Sequence, residues 1–290
     1  MPAARRGRRN RISGYGLGSA DNVLSVDAVA AAADELARSG PELEQLDALS
    51  RGAPLVAIDG LVAGYGKMEI LHGFDLRVAA GQSLCLIGPN GAGKSTVLHS
   101  IYGLTRITAG SIKVGGRNVT RVAASRKLKT AGVAYILQDN SVFPDMTVEE
   151  NLLLGGFLKN RSAEARQAAD RIFDKYSSLA ARRRQRAGVL SGGERRLLEI
   201  SRALIMDPSV LLVDEPSIGL EPRFIDMVFD ILHELQHGEG KTIIIVEQNA
   251  KKGLEFADIG YVLVSGRLAL AGTGAETLAN PEVGRLFLGG

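Results

Sequence analysis

One cysteine, Cys85, is all the thiol chemistry this sequence contains. An intrachain disulfide is therefore impossible, and a cysteine-rich metal site is excluded. Cys85 lies in the apolar run Ser83-Leu84-Cys85-Leu86-Ile87, where a small buried hydrophobe is its expected role. The lack of disulfides fits a reducing cytosol. Long apolar runs are missing too: no stretch approaches the roughly 18 residues that a membrane-spanning helix needs. Membrane association is thus expected only through a partner or a surface. Charge of one sign is also scarce. The net charge is +3 over 290 residues, and much of the excess sits in Arg-Arg-Gly-Arg-Arg-Asn-Arg at 5–11, which gives no case for a nucleic-acid face. No apolar stretch follows that basic cluster, so no secretory signal is expected. The four histidines, His72, His99, His233 and His237, lack metal-ligand spacing and are expected to be structural or solvated. No internal repeat is visible.

What is present reads as an ordinary globular chain, 45% hydrophobic and 23% charged. Residues 1–53 form an N-terminal extension that is expected to be flexible. Its Ala-, Leu- and acid-rich stretch from Asp21 to Leu49, broken at Gly40-Pro41, has the pattern of two short amphipathic helices. From Pro54 onward the texture changes. Leu55–Ile58 and Phe74–Val78 read as strands about a turn region at Gly64-Tyr65-Gly66. Ser83–Ile87, Gly132–Leu137, Ser209–Val213 and Thr242–Val246 are short, almost wholly apolar strands. Helical patterns cover Val148–Leu158 and Ala163–Tyr176, and Arg182–Arg186 reads as a solvated basic face. Tyr261–Leu270 suggests a hairpin turning at Ser265-Gly266, and two short helical pieces close the chain. Apolar strands alternating with helices imply an α/β fold with a mainly parallel sheet covered on both faces.

Gly88-Pro89-Asn90-Gly91-Ala92-Gly93-Lys94-Ser95-Thr96 satisfies G-x-x-x-x-G-K-[ST], with an apolar strand before it and a helix-compatible segment after it. Glycines let successive backbone N–H groups turn inward on phosphate oxygens, and the helix start adds partial positive charge. Lys94 is placed to reach the β- and γ-phosphates and the Ser95 hydroxyl to ligate Mg²⁺. Val210-Leu211-Leu212-Val213 ends in Asp214-Glu215. At the C-terminal end of a buried parallel strand these two carboxylates face the ligand crevice. Asp214 is then suited to the metal, and Glu215 to orienting or deprotonating an attacking water. Ser191-Gly192-Gly193-Glu194 opens a helical stretch and offers a second anion site of different design, a hydroxyl with bare amides.

With this last motif, Leu190-Ser191-Gly192-Gly193-Glu194, the sequence resembles the ATP-binding subunits of ABC transporters over roughly residues 55 to 290. The resemblance implies a P-loop NTPase sheet core, an N-terminal antiparallel β subdomain, and a helical subdomain at about 139–189 within an ATPase domain of 54–290. It implies ATP hydrolysis with Mg²⁺, and head-to-tail pairing in which the signature of one subunit closes on the γ-phosphate held by the other. Tyr65 matches the aromatic that stacks on adenine, and Gln138 the glutamine that contacts the metal and the water. Gln248 stands where most relatives carry a histidine for the γ-phosphate. Implied partners are a second ABC ATPase subunit, transmembrane permease subunits at the cytoplasmic face of the membrane, and a solute-binding protein. No nucleic acid is expected. Phe143-Pro144-Asp145-Met146-Thr147-Val148-Glu149-Glu150-Asn151-Leu152, Val246-Glu247-Gln248-Asn249-Ala250, Asn280-Pro281-Glu282-Val283 and Leu288-Gly289-Gly290 look most like the branched-chain amino acid uptake subgroup, with urea and amide importers close by. Exporter ATPases of the lipopolysaccharide type look similar in sequence, and ABC ATPases without a transport partner are a further alternative. Glu221 stands where many relatives have Asp, which bears on inter-subunit geometry. Arg195-Arg196 follows the signature where polar amides are usual, and is expected on a surface face.

Overall fold

The computed structural model describes residues 40–138 and 141–287, so the basic cluster at 5–11, most of the extension and the final Leu288-Gly289-Gly290 lie outside the described residues. In chain order the elements are α1 (Leu43–Leu49), β1 (Pro54–Tyr65), β2 (Met68–Ala79), β3 (Ser83–Ile87), α2 (Lys94–Tyr102), β4 (Arg106–Val114), β5 (Arg117–Asn118), α3 (Ala124–Ala131) and β6 (Val133–Ile136). There follow α4 (Val148–Gly155), α5 (Ser162–Lys175), α6 (Ser177–Ala180), a 3-10 turn (Ala187–Val189), α7 (Gly192–Leu204), β7 (Val210–Asp214) and α8 (Pro222–His237). The last elements are β8 (Thr242–Val246), α9 (Ala250–Phe256), β9 (Ile259–Val264), β10 (Arg267–Thr273), α10 (Gly274–Ala279) and α11 (Pro281–Phe287).

Two sheets result. The larger runs β10-β9-β3-β8-β7-β6, parallel from β9 to β6 with β10 antiparallel at one edge. Its strands β3, β7, β8 and β9 are buried throughout, and alternate residues divide between two cores. Leu84, Leu86, Leu212, Ile244 and Val246 join α2 and the antiparallel strands on one side. Cys85, Ile87, Leu211, Val213, Ile243 and Ile245 join α4, α5, α7, α8 and α9 on the other. A strand with both faces covered has no polar face to show, which explains the unbroken apolar runs. The second sheet, β2-β1-β4-β5, is antiparallel. Its β1 and β2 extend well past the short runs expected from the sequence and pair from Pro54–Ala79 to Tyr65–Met68.

The β9–β10 hairpin turns at Ser265 (φ 47°) and Gly266 (φ 75°). Two positive φ values in succession match the right-handed twist of the flanking strands. Thr147 caps α4 with a reciprocal bond to Glu150, and Ser191 caps α7 in the same way with Glu194.

The extension is corrected at its C-terminal end. Rather than remaining flexible to residue 53, Leu43–Leu49 form α1, starting just after the Gly40-Pro41 break. Leu46 is fully buried in the α2-side core. Arg77 bonds Asp47 at 3.0 Å, and Gln45 donates to the Ala271 carbonyl at 3.1 Å. An amphipathic helix that can bury one leucine and satisfy two polar side chains on a strand surface has reason to dock. The basic stretch Arg182–Arg186 is solvated as expected at Arg184, Gln185 and Arg186, while Arg182 and Arg183 are half-buried. Arg182 pairs with Glu194 at 2.6 Å, and Arg183 pairs with Glu149 and Asp170 and lies over the Phe173 ring.

Candidate functional site

The parallel register brings the chemistry to one edge. Ile136 pairs with Val213, Asp214 with Val246 and Leu86 with Val246, so β6, β7, β8 and β3 all end level with one another. Gln138, Asp214, Glu215, Gln248 and the loop starting at Gly88 follow those four ends, the crevice side of such a sheet.

The loop from β3 to α2 is shaped by backbone contacts. Gly88 leaves the strand at φ 144°, and a Cβ there would stand 2.1 Å from the Leu263 carbonyl oxygen. Only glycine fits so close an approach. The Gly266 N–H donates to the Ala92 carbonyl at 3.0 Å, bracing the loop from the β9–β10 turn. Asn90 and Gly91 are exposed at its tip, while Ala92, Gly93 and Thr96 are buried beneath. Lys94 opens α2, and its ammonium donates to the carbonyls of Gly88 at 2.8 Å and Pro89 at 3.0 Å. Burial, opposed by Glu215 and Asp214, holds its pKa below the ordinary lysine value. The ammonium thus rests on weak neutral acceptors, which phosphate oxygens can replace with stronger charge-assisted bonds.

Asp214 is 4% exposed and held by two hydroxyls. Ser95 Oγ donates to Oδ1 at 3.1 Å and Tyr135 OH donates to Oδ2 at 2.7 Å. A buried carboxylate beside a serine hydroxyl from the cradle is a hard oxygen donor set, and it fits Mg²⁺ better than a softer metal. Among the described residues no group of histidine, cysteine and carboxylate side chains forms a self-contained metal cluster. The nucleotide's own phosphates would therefore complete the coordination, as is usual for Mg²⁺.

Glu215 adopts φ 41°, a left-handed conformation for a residue with a side chain, and its N–H donates to the Val246 carbonyl at 2.8 Å. Strain of this kind persists where the surroundings impose it, and it concentrates at functional sites. Gln138 Nε2 donates to Glu215 Oε2 at 2.8 Å, so the two water-handling candidates are joined across the crevice. Gln248 lies in the exposed turn after β8. Beside it the buried Glu247 accepts from Ser217 Oγ at 2.7 Å and from the Asn249 N–H at 2.8 Å, tying that turn to the segment after Glu215.

Tyr65, at the end of β1, is 43% exposed, and its hydroxyl is hydrogen-bonded to His99 Nδ1. Burial lowers the His99 pKa, opposed by Asp214. His99 meets Tyr135 edge-on with centroids 5.6 Å apart. An aromatic ladder thus runs from the exposed Tyr65 ring to Asp214. Sequence reasoning did not find Tyr135 or the bonded role of His99. The spacing of Ser95 and His99, four apart on one helix face, is the signal that was available.

The signature is not gathered with the rest. Ser191 accepts from the Glu194 N–H at 3.3 Å, and the Glu194 carboxylate accepts from the Ser191 N–H at 2.9 Å and pairs with Arg182. Burial raises the Glu194 pKa, but these bonds together bring it below the ordinary value. Among the described residues no hydrogen bond joins Ser191, Gly192, Gly193 or Glu194 to the cradle or to Asp214. Gly193 is forced by packing, since a Cβ there would lie 2.1 Å from Phe224 Cδ1 on α8. Arg196 is a correction: it is 5% exposed rather than on a surface face, whereas Arg195 donates to the Leu190 carbonyl at 3.3 Å. Within a helix whose apolar face packs on the core, a one-residue difference in angle separates a half-buried from a buried position.

Comparison with known proteins agrees with this geometry. Residues 71–218 match the model of the family described as ABC transporter. Over 236 residues the chain is 39% identical to the high-affinity branched-chain amino acid transport ATP-binding protein BraG of Pseudomonas aeruginosa, covering 81% of this chain and all of that one. It is 37% identical to the probable branched-chain amino acid transport ATP-binding protein LivF of Archaeoglobus fulgidus, over 79% of this chain and 96% of that one. The ADP conformation of MJ1267, an ATP-binding cassette of an ABC transporter, superposes with a TM-score of 0.72 at 26% identity, covering 82% of this chain and all of that one. A cradle, two carboxylates and a glutamine converging at one sheet edge, together with likeness along nearly the whole length of these relatives, show that the chain belongs to the ABC transporter family and is one of its ATPases.

Proposed function

We propose that this ATPase powers an importer of branched-chain amino acids, binding MgATP between two paired cassettes at the cytoplasmic face of the membrane. The observation that carries the chemistry is the presence, at neighbouring strand ends beside the cradle, of two bonded pairs, Ser95 with Asp214 and Gln138 with Glu215. Full-length likeness to BraG and LivF supports the cargo.

ATP enters as its triphosphate displaces the Gly88 and Pro89 carbonyls from Lys94, while the N–H groups at the start of α2 face the same oxygens. Bound Mg²⁺ would neutralise phosphate charge, and Ser95 and Asp214 are the side chains that would hold it. Tyr65 offers its exposed face to the adenine. Gln138 leaves Glu215, whose carboxylate then orients the attacking water and accepts its proton. Ser191, Gly192 and Gly193 stand apart from this crevice, which supports their serving a second cassette's γ-phosphate, with Gln248 contacting the one held in its own chain. A second copy of this chain or a sister ATPase fills that position.

The permease contact is supported by an apolar groove of about 230 Å³ whose lining includes Tyr102, Leu137, Leu154, Phe157 and Leu158. Phe157 is 84% exposed there, and Phe143 nearby is 51% exposed. Large side chains left this open on a folded surface mark an interaction site. No helix among the described residues is long and apolar enough to cross a membrane, so permease subunits would supply the path and a solute-binding protein would deliver the cargo.

Two measurements test the reading. Glu215→Gln should retain ATP binding while turnover falls by roughly 10² or more, the scale of losing a general base. Near-normal hydrolysis would remove Glu215 from the role. Vesicles containing the chain and the permease that copurifies with it should accumulate labelled leucine, isoleucine or valine only with ATP. Uptake of none of the three would refute the cargo.

A further inference from the structure

Arg196 and Glu199 form an ion pair one turn apart on α7, 5% and 6% exposed. Each end of the pair grips a different ATP-handling segment. Arg196 Nη1 donates to Glu199 Oε2 at 2.8 Å and also to the Leu137 carbonyl at 2.8 Å. Arg196 Nη2 donates to the Asp214 carbonyl at 3.4 Å, the peptide that leads into Glu215. Glu199 Oε1 accepts from the Ser141 N–H at 3.0 Å. The segment carrying Gln138 is therefore pinned on either side, at Leu137 and Ser141, by one pair of side chains. The same pair holds the backbone on which the strained Glu215 turns, and Gln138 and Glu215 are themselves bonded at 2.8 Å.

The helix bearing this pair begins at the signature, where Ser191 is the N-cap. Only Gly192, Gly193, Glu194 and Arg195, all in regular helix, separate Ser191 from Arg196, so a shift of the helix start is carried to the pair as a rigid body. Stability alone is a poor reason for the arrangement. A buried ion pair is often matched or improved on by apolar residues of similar volume, and Arg196 Nε is buried without a partner among the described residues.

We propose that Arg196 and Glu199 are positioning residues that couple the two ATP sites of a paired cassette. Contact of Ser191–Gly193 with the nucleotide on the other cassette sets Gln138 and Glu215 against the nucleotide in their own chain. This rests on the head-to-tail reading given above. It adds to that reading a physical link within the chain between the signature serving one ATP and the water-handling pair serving the other.

The test uses the full-length chain, with a second copy as the pairing cassette. Unaltered protein should hydrolyse ATP with a Hill coefficient above 1, and the Glu215→Gln protein should dimerise with ATP in sedimentation velocity. The double variant Arg196→Met/Glu199→Leu replaces the pair with apolar side chains and leaves no buried charge unpaired. It should stay folded at the assay temperature, with a melting temperature lowered by the hydrogen bonds lost at Leu137, Ser141 and Asp214, and keep its affinity for a fluorescent ATP analogue within about two-fold and a KM changed by less than about three-fold. Its kcat should fall at least ten-fold and its Hill coefficient should drop to 1, losses that a purely structural role would not confine to kcat and cooperativity. Should the double variant fail to fold, Glu199→Gln keeps one acceptor oxygen where the carboxylate offers two, so it can serve Ser141 or Arg196 but not both, and should give a Hill coefficient between 1 and the unaltered value. Unchanged kcat and Hill coefficient in a folded variant, with dimerisation intact, overturn the coupling alone. A Hill coefficient of 1 in the unaltered protein overturns it too. Failure of the Glu215→Gln protein to dimerise at any concentration overturns the head-to-tail reading, and the coupling with it.

Discussion

Alanine in place of Gly193 sets two effects of opposite sign against each other, and the structure decides between them. Gly193 lies in the first turn of α7, and in a helix interior Gly→Ala is worth about 0.5–1 kcal/mol of added stability. Here the new Cβ would stand 2.1 Å from Phe224 Cδ1 and 2.6 Å from Cε1. Carbon atoms prefer about 3.5–4.0 Å, so the ring must retreat by roughly 1.5 Å. Phe224 is not free to do so at no cost, because the Arg223 guanidinium lies over its ring at 4.5 Å and the ring itself is half-buried. Overpacking of this size costs about 1–3 kcal/mol. Steric cost wins, leaving Gly193→Ala destabilised by about 1–2 kcal/mol, a drop of roughly 2–8 °C for a domain of this length. Differential scanning calorimetry checks it. The sign should invert in a Phe224→Ala background, where the ring is gone and only the helical gain remains. Equal destabilisation in both backgrounds would refute the reasoning, as would an unshifted melting temperature for Gly193→Ala alone. If the double variant regains stability but not hydrolysis, space at Gly193 is required by the nucleotide as well as by Phe224.

Three further expectations follow from buried polar groups and the docked helix. Lys127 is fully buried, its ammonium donating to the Val119 carbonyl at 2.8 Å, and burial lowers its pKa to about 8 from 10.5. The unfolded chain binds that proton more tightly, so this group's contribution to stability rises as pH climbs from 8 towards 10.5 and is unfavourable below 8. Lys127→Met should therefore raise the melting temperature at pH 7, with the advantage shrinking by pH 10; an advantage that grows with pH would contradict the sign. Tyr135→Phe removes a hydroxyl donating to the Asp214 carboxylate and should cost about 1.5–3 kcal/mol, read by urea unfolding without nucleotide; no loss would show that the 2.7 Å bond is idle. Leu46→Ala takes a fully buried side chain from under α1. It should cost about 2 kcal/mol and release the amides of Leu43–Leu49 to hydrogen exchange, unchanged protection being the contrary result.

Motifs with a local cause were legible. The cradle announces itself through glycines that one backbone path requires, Asp214-Glu215 through the end of an apolar strand, and the Ser191–Glu194 cap through its own spacing. The parallel core followed from uniform apolarity, since only strands covered on both faces can dispense with a polar side. The antiparallel sheet was legible as a subdomain but not strand by strand. Its β4 reads Arg106-Ile107-Thr108-Ala109-Gly110, a polar and interrupted run made into a strand by pairing with β1.

By itself, then, the sequence pointed to the groups proposed to handle phosphate, metal and water, because each of those proposals depends on residue type and near-neighbour spacing. Only the tertiary structure decided what holds them. Tyr135 reaches Asp214 across 79 residues, and Arg196 reaches Leu137 across 59. Nothing local distinguishes the buried Arg196 from its half-buried neighbour Arg195, because burial of one face of a helix is decided by what packs against it. The same holds for α1, whose seven residues become a fixed element only when the β2 and β10 surfaces are present to receive Leu46, Asp47 and Gln45.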